Sequence, residues 1–316
     1  MTERAAIMSR YTAMAAHSDS RPMPTIKDQA ASLRVIRGDA EPPATARRER
    51  VVAVTGGKGG VGKSTVAVGL ATAFALDGAR TLMVDTDLGM ADLNLLLGVA
   101  PSKSLLDALA GTPVEDVLVA AHGLQLLPAQ NGSFALATMS DRARARALEL
   151  CHQLSDRFDT LVFDIAGGIG AHQAGFAAAA ADRVVVVNPE PLSMADAYAC
   201  LKVLVTEHGV KTAYVVPNRV VGRSQGEEIV LRLTDLVTRF LDLRLIALPP
   251  IPADPAVSEA AHHGVPLLRH RPDSPAARAI RRVARALDAH ASPDLRAEVA
   301  RGFWRRHLAL AQGDTP

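Results

Sequence analysis

Two lysines, a serine and a threonine stand on a glycine-rich run, Gly57-Lys58-Gly59-Gly60-Val61-Gly62-Lys63-Ser64-Thr65. Gly57, Gly62, Lys63 and Ser64 satisfy G-x-x-x-x-G-K-[ST], the pattern of a loop that wraps phosphate. Without Cβ atoms, successive backbone N–H groups can curl toward one anion. The helix that follows adds its unpaired N–H groups and the positive end of its dipole. Lys63 brings a point charge to the β- and γ-phosphates of a nucleotide, and the Ser64 hydroxyl can ligate Mg²⁺. Because Lys63 already holds the place beside the loop's own phosphates, Lys58 is left over at the head of the loop.

Three further sites carry candidate chemistry. Arg80-Thr-Leu-Met-Val-Asp85 is an apolar strand ending in Asp85-Thr86-Asp87, and Asp159-Thr-Leu-Val-Phe-Asp164 is a second strand closed by an aspartate. Carboxylates at the carboxyl ends of strands face the ligand edge of a doubly wound sheet. Asp164 reads as a Walker B residue that holds Mg²⁺ through a water. Asn218 ends the strand Ala213-Tyr-Val-Val-Pro217, where its amide offers one donor and one acceptor to an adenine edge. The loop Pro249 to Asp254 returns to the same edge, and Asp254 is placed with the ATP-binding residues.

The elements that must position these groups follow from periodicity. Val51 to Val54 and Val184 to Val187 are unbroken apolar runs, the signature of parallel strands covered on both faces. Helices are expected at 63–74, 104–110, 114–120, 141–155, 195–207, 226–241 and from Ser274-Pro275, an N-cap and N1 pair, to Leu287. Gly123 to Pro128 and Leu245 to Leu248 complete the strands. Strands alternating with helices from Val51 to about Leu287 predict one α/β domain, a mostly parallel, doubly wound sheet with helices on both faces.

Composition sets the outer limits. Of 316 residues, 48% are hydrophobic and 22% charged, which indicates a folded chain. Aromatics are only 3%, which argues against binding single-stranded nucleic acid by base stacking. A net charge of +2 does not by itself call for a polyanion, so no specific nucleic acid is expected. Cys151 and Cys200 stand apart with no C-x-x-C, so neither a transition metal nor an iron–sulfur cluster is expected. His262-His263 reads as a solvated loop pair. There is no apolar run of the roughly 18 residues that a membrane span needs and no hydrophobic leader of a secretory signal.

Both ends stand outside the domain, set at 50–290. Residues 1–49 read as a flexible segment with one short amphipathic helix at 27–36, too short to be stable alone. It either docks on its own domain or serves as a detachable peptide for a partner. Residues 291–316 read as an imperfectly amphipathic helix in which Val299, Phe303 and Trp304 gather on or beside one side, with Arg301 and Arg305 opposite. A basic helix of this kind can lie in a membrane interface or pack on its own domain.

The loop Gly57 to Thr65, Asp85-Thr-Asp-Leu-Gly, Asp164-Ile-Ala-Gly-Gly-Ile and Asn188-Pro-Glu-Pro-Leu-Ser-Met-Ala-Asp196-Ala-Tyr198 together resemble the FlhG (FleN) branch of the MinD/ParA class of ATPases. Arg239-Phe240-Leu, and Asp28, Gln29, Ala30, Leu33 and Arg34 in the pattern Asp-Gln-Ala-x-x-Leu-Arg, carry the same likeness. The resemblance covers about residues 27–290. It implies that Lys58 reaches across an ATP-bound homodimer to the partner's phosphates, and that Asp87 helps hold Mg²⁺ and positions the attacking water. It also implies that residues 28–34 engage an FlhF-type GTPase. The other implied partner is a flagellar switch-ring protein or a flagellar transcriptional activator. The activity implied is slow, partner-stimulated, Mg-dependent ATP hydrolysis used as a switch over flagellar number and placement, in the cytoplasm with reversible contact to the inner face of the cell membrane. Two departures stand out: Ile165 replaces a customary hydroxyl residue, and Asp92 and Asn94 invert the usual order. A MinD-type division regulator and a ParA-type DNA-partitioning ATPase are the neighbouring alternatives. A metabolic P-loop enzyme or cluster-carrying reductase is disfavoured by the lack of paired cysteines.

Overall fold

The computed structural model describes residues 50–86, 92–128, 150, 153–154, 156–290 and 302. The described elements are β1 (Arg50–Thr55), α1 (Lys63–Leu76), β2 (Thr81–Asp85), α2 (Leu93–Leu96), α3 (Leu105–Ala110), β3 (Val119–Ala121) and β4 (Leu124–Leu127). There follow β5 (Thr160–Asp164), α4 (Ala171–Ala179), β6 (Asp182–Val187), α5 (Pro191–Thr206), β7 (Thr212–Val220) and α6 (Arg223–Phe240). The chain continues through β8 (Arg244–Ala247), β9 (Ile251–Pro252), α7 (Pro255–His262), α8 (Leu267–His270) and α9 (Pro275–His290).

The main sheet has the order β3-β4-β2-β5-β1-β6-β7-β8, with β9 paired to β7. All pairings are parallel except β3 with β4. The apolar runs fold this way because successive side chains point to opposite faces. Val52 and Val54 join Met83, Val162, Val184 and Val186 under α1, α7, α8 and α9. Val51 and Ala53 join Leu82, Phe163, Val185 and Val187 under α4, α5 and α6. Ile280 of α9 sits so close to Gly69 of α1 that a Cβ there would crowd it.

The helix expected over 114–120 is not formed. A single 3-10 turn, Val114–Asp116, gives way to β3, which pairs antiparallel with β4 around His122 and Gly123. Both turn residues have positive φ, 51° and 88°, the geometry of a tight hairpin whose twist matches its strands. The His122 ring is also held there, its Nε2 lying 3.1 and 3.2 Å from the carbonyls of Leu97 and Gly264. His262 and His263 correct a second expectation, since they end and cap α7 instead of lying in a loop. Among the described residues, no helix is long and apolar enough to cross a membrane.

Candidate functional site

The carboxyl ends of β1, β2, β5 and β7 converge on the loop between β1 and α1. Gly57 packs against the backbone of Asp196 in α5 so closely that any side chain would collide with it. Gly62 turns the chain into α1 at φ 93°, a conformation that only glycine adopts cheaply. Asn218 Nδ2 donates to the Val61 carbonyl at 2.8 Å and fills the space a Gly62 side chain would need. Helix α1 starts with no side-chain cap, so its first N–H groups and dipole face the loop. Lys63 is 7% exposed and arches back across the loop, its Nζ donating to the Lys58 carbonyl at 3.1 Å. Ser64 and Thr65 follow at the first turn of α1, and Gly59, Gly60 and Val61 complete the wrap.

Asp85 and Asp164 are register partners at the ends of β2 and β5, each 3% exposed. The Thr86 backbone N–H and hydroxyl both donate to the Asp164 carbonyl, at 3.1 and 2.7 Å, and fasten the two strand ends together. Two buried carboxylates side by side disfavour one another's ionisation unless a cation joins them. With the Ser64 hydroxyl on the neighbouring helix start, this is an all-oxygen donor set suited to Mg²⁺. Asp85 is the site residue that sequence reading left without a role. Its signal was present, because it closes an apolar strand as Asp164 does.

Lys58 behaves differently from Lys63. Its side chain stands on the outside of the loop and its Nζ donates to Glu190 Oε2 at 2.7 Å. The Lys58 ammonium, by hydrogen bond and by charge, holds the Glu190 carboxyl below the ordinary carboxylate range. Beneath the loop, burial pushes the Cys200 thiol up to about 11 against hydrogen bonding with Thr55 and the pull of Lys63.

Beside the start of α1 lies a cavity of about 220 Å³ lined by Gly62, Thr65, Asn218, Arg219, Pro252 and Asp254 among others. It stands where a base would lie if phosphates occupied the loop. A larger hollow of about 760 Å³ opens at the opposite edge of the sheet. Its arginines, Arg80 and Arg157, are already paired with Asp159 and Glu115. It has no phosphate loop, so size alone is a poor guide to the site.

Asp254 lines the smaller cavity and also supports its wall. One carboxylate oxygen accepts from the Ala256 N–H at 3.0 Å and the other from the Ala276 N–H at 2.9 Å, capping α7 and α9 together. Burial pushes its pKa up, but hydrogen bonds from Ala276, Ala256 and Ser274, with the charge of Arg278, outweigh that and leave it lowered. Asp254 therefore shapes the cavity wall, with its oxygens engaged by helix starts. Ile165 is 1% exposed and joins the core under α4 and α5, which accounts for an apolar residue at that position. Asp92 stands at the N-cap position of α2 without a side-chain cap bond. Asp87, the segment Asp28 to Arg34, and Val299, Phe303 and Trp304 lie outside the described residues.

Residues 52–267 match the family described as the CobQ/CobB/MinD/ParA nucleotide binding domain. The chain is 37% identical to the antiactivator FleN of Pseudomonas aeruginosa, over 77% of this chain and 88% of that protein. It is 30% identical to the flagellum site-determining protein YlxH of Helicobacter pylori, over 58% of this chain and 63% of that one. The solved septum site-determining protein MinD from Pyrococcus horikoshii, complexed with Mg-ADP, superposes with a TM-score of 0.60 at 26% identity, covering 76% of this chain and 96% of its own. The fold described above is thus shared with a protein seen holding Mg-ADP. The chain belongs to the MinD/ParA family of P-loop ATPases, in its FlhG/FleN branch.

Proposed function

We propose that this chain is a switch driven by ATP binding and hydrolysis, that it works as a homodimer, and that its output is the number and placement of flagella. The observation that carries the switch is the division of labour between the two lysines. Lys63 lies inside the loop, arched over the hollow that phosphates would fill. Lys58 lies outside it, tethered at the surface to Glu190. An ammonium in that position is well placed to meet the phosphates of a second copy once it leaves Glu190.

Within one site, the loop N–H groups from Gly57 to Gly62, the start of α1 and Lys63 hold the triphosphate. Mg²⁺, when bound, neutralises charge on the β- and γ-phosphates, with Ser64, Asp85, Asp164 and Asp87 as the residues to hold it or its waters. Phosphoryl transfer asks mainly for positioning and charge stabilisation. Asp87 orients the attacking water, and Lys58 from the opposite copy offsets charge building on the transferred group. Asn218 holds the loop in shape at Val61 and presents its amide to the base cavity.

The domain spans 50–290, with an N-terminal partner segment and a C-terminal membrane segment. Residues 28–34 engage an FlhF-type GTPase, and a switch-ring protein or flagellar transcriptional activator reads the dimer. The protein works in the cytoplasm, with Val299, Phe303 and Trp304 giving reversible contact with the inner face of the membrane.

The test is the Asp87→Ala variant. It should bind ATP with near-normal affinity, lose most turnover and persist as a dimer with ATP. Unchanged turnover removes Asp87 from the mechanism. Persistence of the dimer after every ATP has become ADP contradicts the switch itself.

A further inference from the structure

We propose that the outward face of α9 is a docking surface for anionic lipid, built on the folded domain and separate from the C-terminal aromatic segment. Helix α9 buries Ala276, Ala277, Ala279, Ile280, Val283, Ala284 and Leu287 against the sheet and α1. Its opposite side carries Arg278, Arg281, Arg282 and Arg285 at i, i+3, i+4 and i+7, the spacing that places side chains in one row. Arg278, Arg282 and Arg285 are exposed and Arg281 is half-buried.

What sets this row apart is the scarcity of counter-charge: the Asp254 carboxylate lies within electrostatic reach of Arg278 but forms no ion pair with it. Arg278 and Arg281 reach backbone carbonyls, of Asp273 and Pro272. Among the described residues, none of the four arginines forms an ion pair with a carboxylate. The acidic residue on α9 itself, Asp288, is turned to Arg50. Helix α6, on the other face of the sheet, is also charged but neutralises itself through Arg223–Glu227 and Arg232–Glu228. A solvated helix ordinarily follows the α6 pattern, because opposite charges at i, i+4 stabilise it and like charges destabilise it. Four arginines in one row work against the helix unless an external anion compensates.

The shape and surroundings of the row select a lipid surface among possible polyanions. The row lies on the outward side of one helix, and among the described residues Pro275–His290 carry no Phe, Trp or Tyr on which a base could stack. Helix α9 starts at the base cavity and ends beside Arg50 at the opposite edge of the sheet, so its outward face stays clear of bound nucleotide. Immediately after His290 the sequence carries Arg296, Arg301, Arg305 and Arg306 together with Phe303 and Trp304. Cations beside interfacial aromatics are the composition of a membrane-surface segment. Choosing a membrane as the surface rests on the reading of residues 291–316 given above; the arginine row itself does not.

The test uses the full chain with vesicles of pure phosphatidylcholine, and with vesicles of equal parts phosphatidylcholine and phosphatidylglycerol. Each basic residue close to an anionic leaflet strengthens partition by roughly fivefold. The triple variant R278Q/R282Q/R285Q should therefore lose on the order of 100-fold in partition to the anionic vesicles, and most of their preference over the neutral ones. Unchanged nucleotide affinity in this variant shows that the domain remains folded. The variant F303A/W304A tests the terminal segment separately: it should weaken binding to both vesicle types while keeping the anionic preference. Undiminished preference in the arginine variant overturns the proposal. So does a wild-type chain that ignores the anionic vesicles, whether or not it binds duplex DNA through these arginines.

Discussion

The two edges of the sheet treat charge in opposite ways. At the amino edge every charge described above has its counter-charge nearby. Arg50 is 2% exposed, stacks over the Phe74 ring at 4.3 Å, pairs with Asp288 and lies 4.0 Å from the buried Asp182. Arg80 pairs with Asp159 and Arg157 with Glu115. At the carboxyl edge, like charges are set side by side: Asp85 beside Asp164, and Lys58 and Lys63 on one short loop. Charges paired at the amino edge hold the fold together, whereas like charges gathered at strand ends and on the loop mark the place where an ion or a nucleotide completes the protein.

If this division is real, mutations at the two edges should separate stability from binding. Arg50→Ala removes the cation beside buried Asp182 and should cost about 3–5 kcal/mol in denaturant unfolding, with ATP affinity unchanged in calorimetry at low temperature. Lys63→Ala should do the reverse, weakening ATP binding by about 100-fold, the worth of one strong charge-assisted contact set, with the unfolding midpoint almost unmoved. Should either variant shift both readouts equally, the two edges do not divide the work.

Asp254 tests the boundary between the regions. Asp254→Ala removes two helix caps at once and should cost roughly 1–3 kcal/mol, with a smaller loss for Asn. Its carboxyl is depressed in the folded state, so its stabilisation is complete above the ordinary carboxylate pKa. It is lost as the pH falls through the lower folded value. A variant whose stability deficit does not shrink on acidification would place the caps elsewhere. The two remaining effects are small. Cys200, raised to about 11, should resist alkylation at neutral pH until the protein unfolds. Rapid labelling of the native chain would show that α5 does not seal the floor of the loop. In Lys58→Ala, the Glu190 carboxyl should titrate closer to its ordinary value by NMR, since its low pKa comes from Lys58.

Much of this was readable before any coordinates. The phosphate loop is legible because consecutive residues do the work: the amides that wrap the anion and the lysine that faces it lie within one nine-residue run. The parallel sheet is legible because strands covered on both faces must be apolar throughout. What was missed depends on distant pairs or on unusual backbone. Lys58 meets Glu190 across 132 positions and Arg50 meets Asp288 across 238. Asp254 caps a helix that begins 21 residues later, through Ala276. The β3–β4 hairpin hid behind His122, a non-glycine residue in the left-handed region, where few such residues stand. Asp85 was visible as a strand-ending acid, but only the register of β2 against β5 shows that it shares a site with Asp164.

The central claim is that ATP joins two copies of this chain through Lys58, and sedimentation velocity of wild type and Lys58→Ala with Mg-ATP and with Mg-ADP tests it most directly. The account predicts dimers only for wild type with ATP, while Lys58→Ala stays monomeric although it still binds nucleotide. A wild-type chain that binds ATP and remains a monomer at every concentration, or a Lys58→Ala chain that dimerises as readily as wild type, would contradict it.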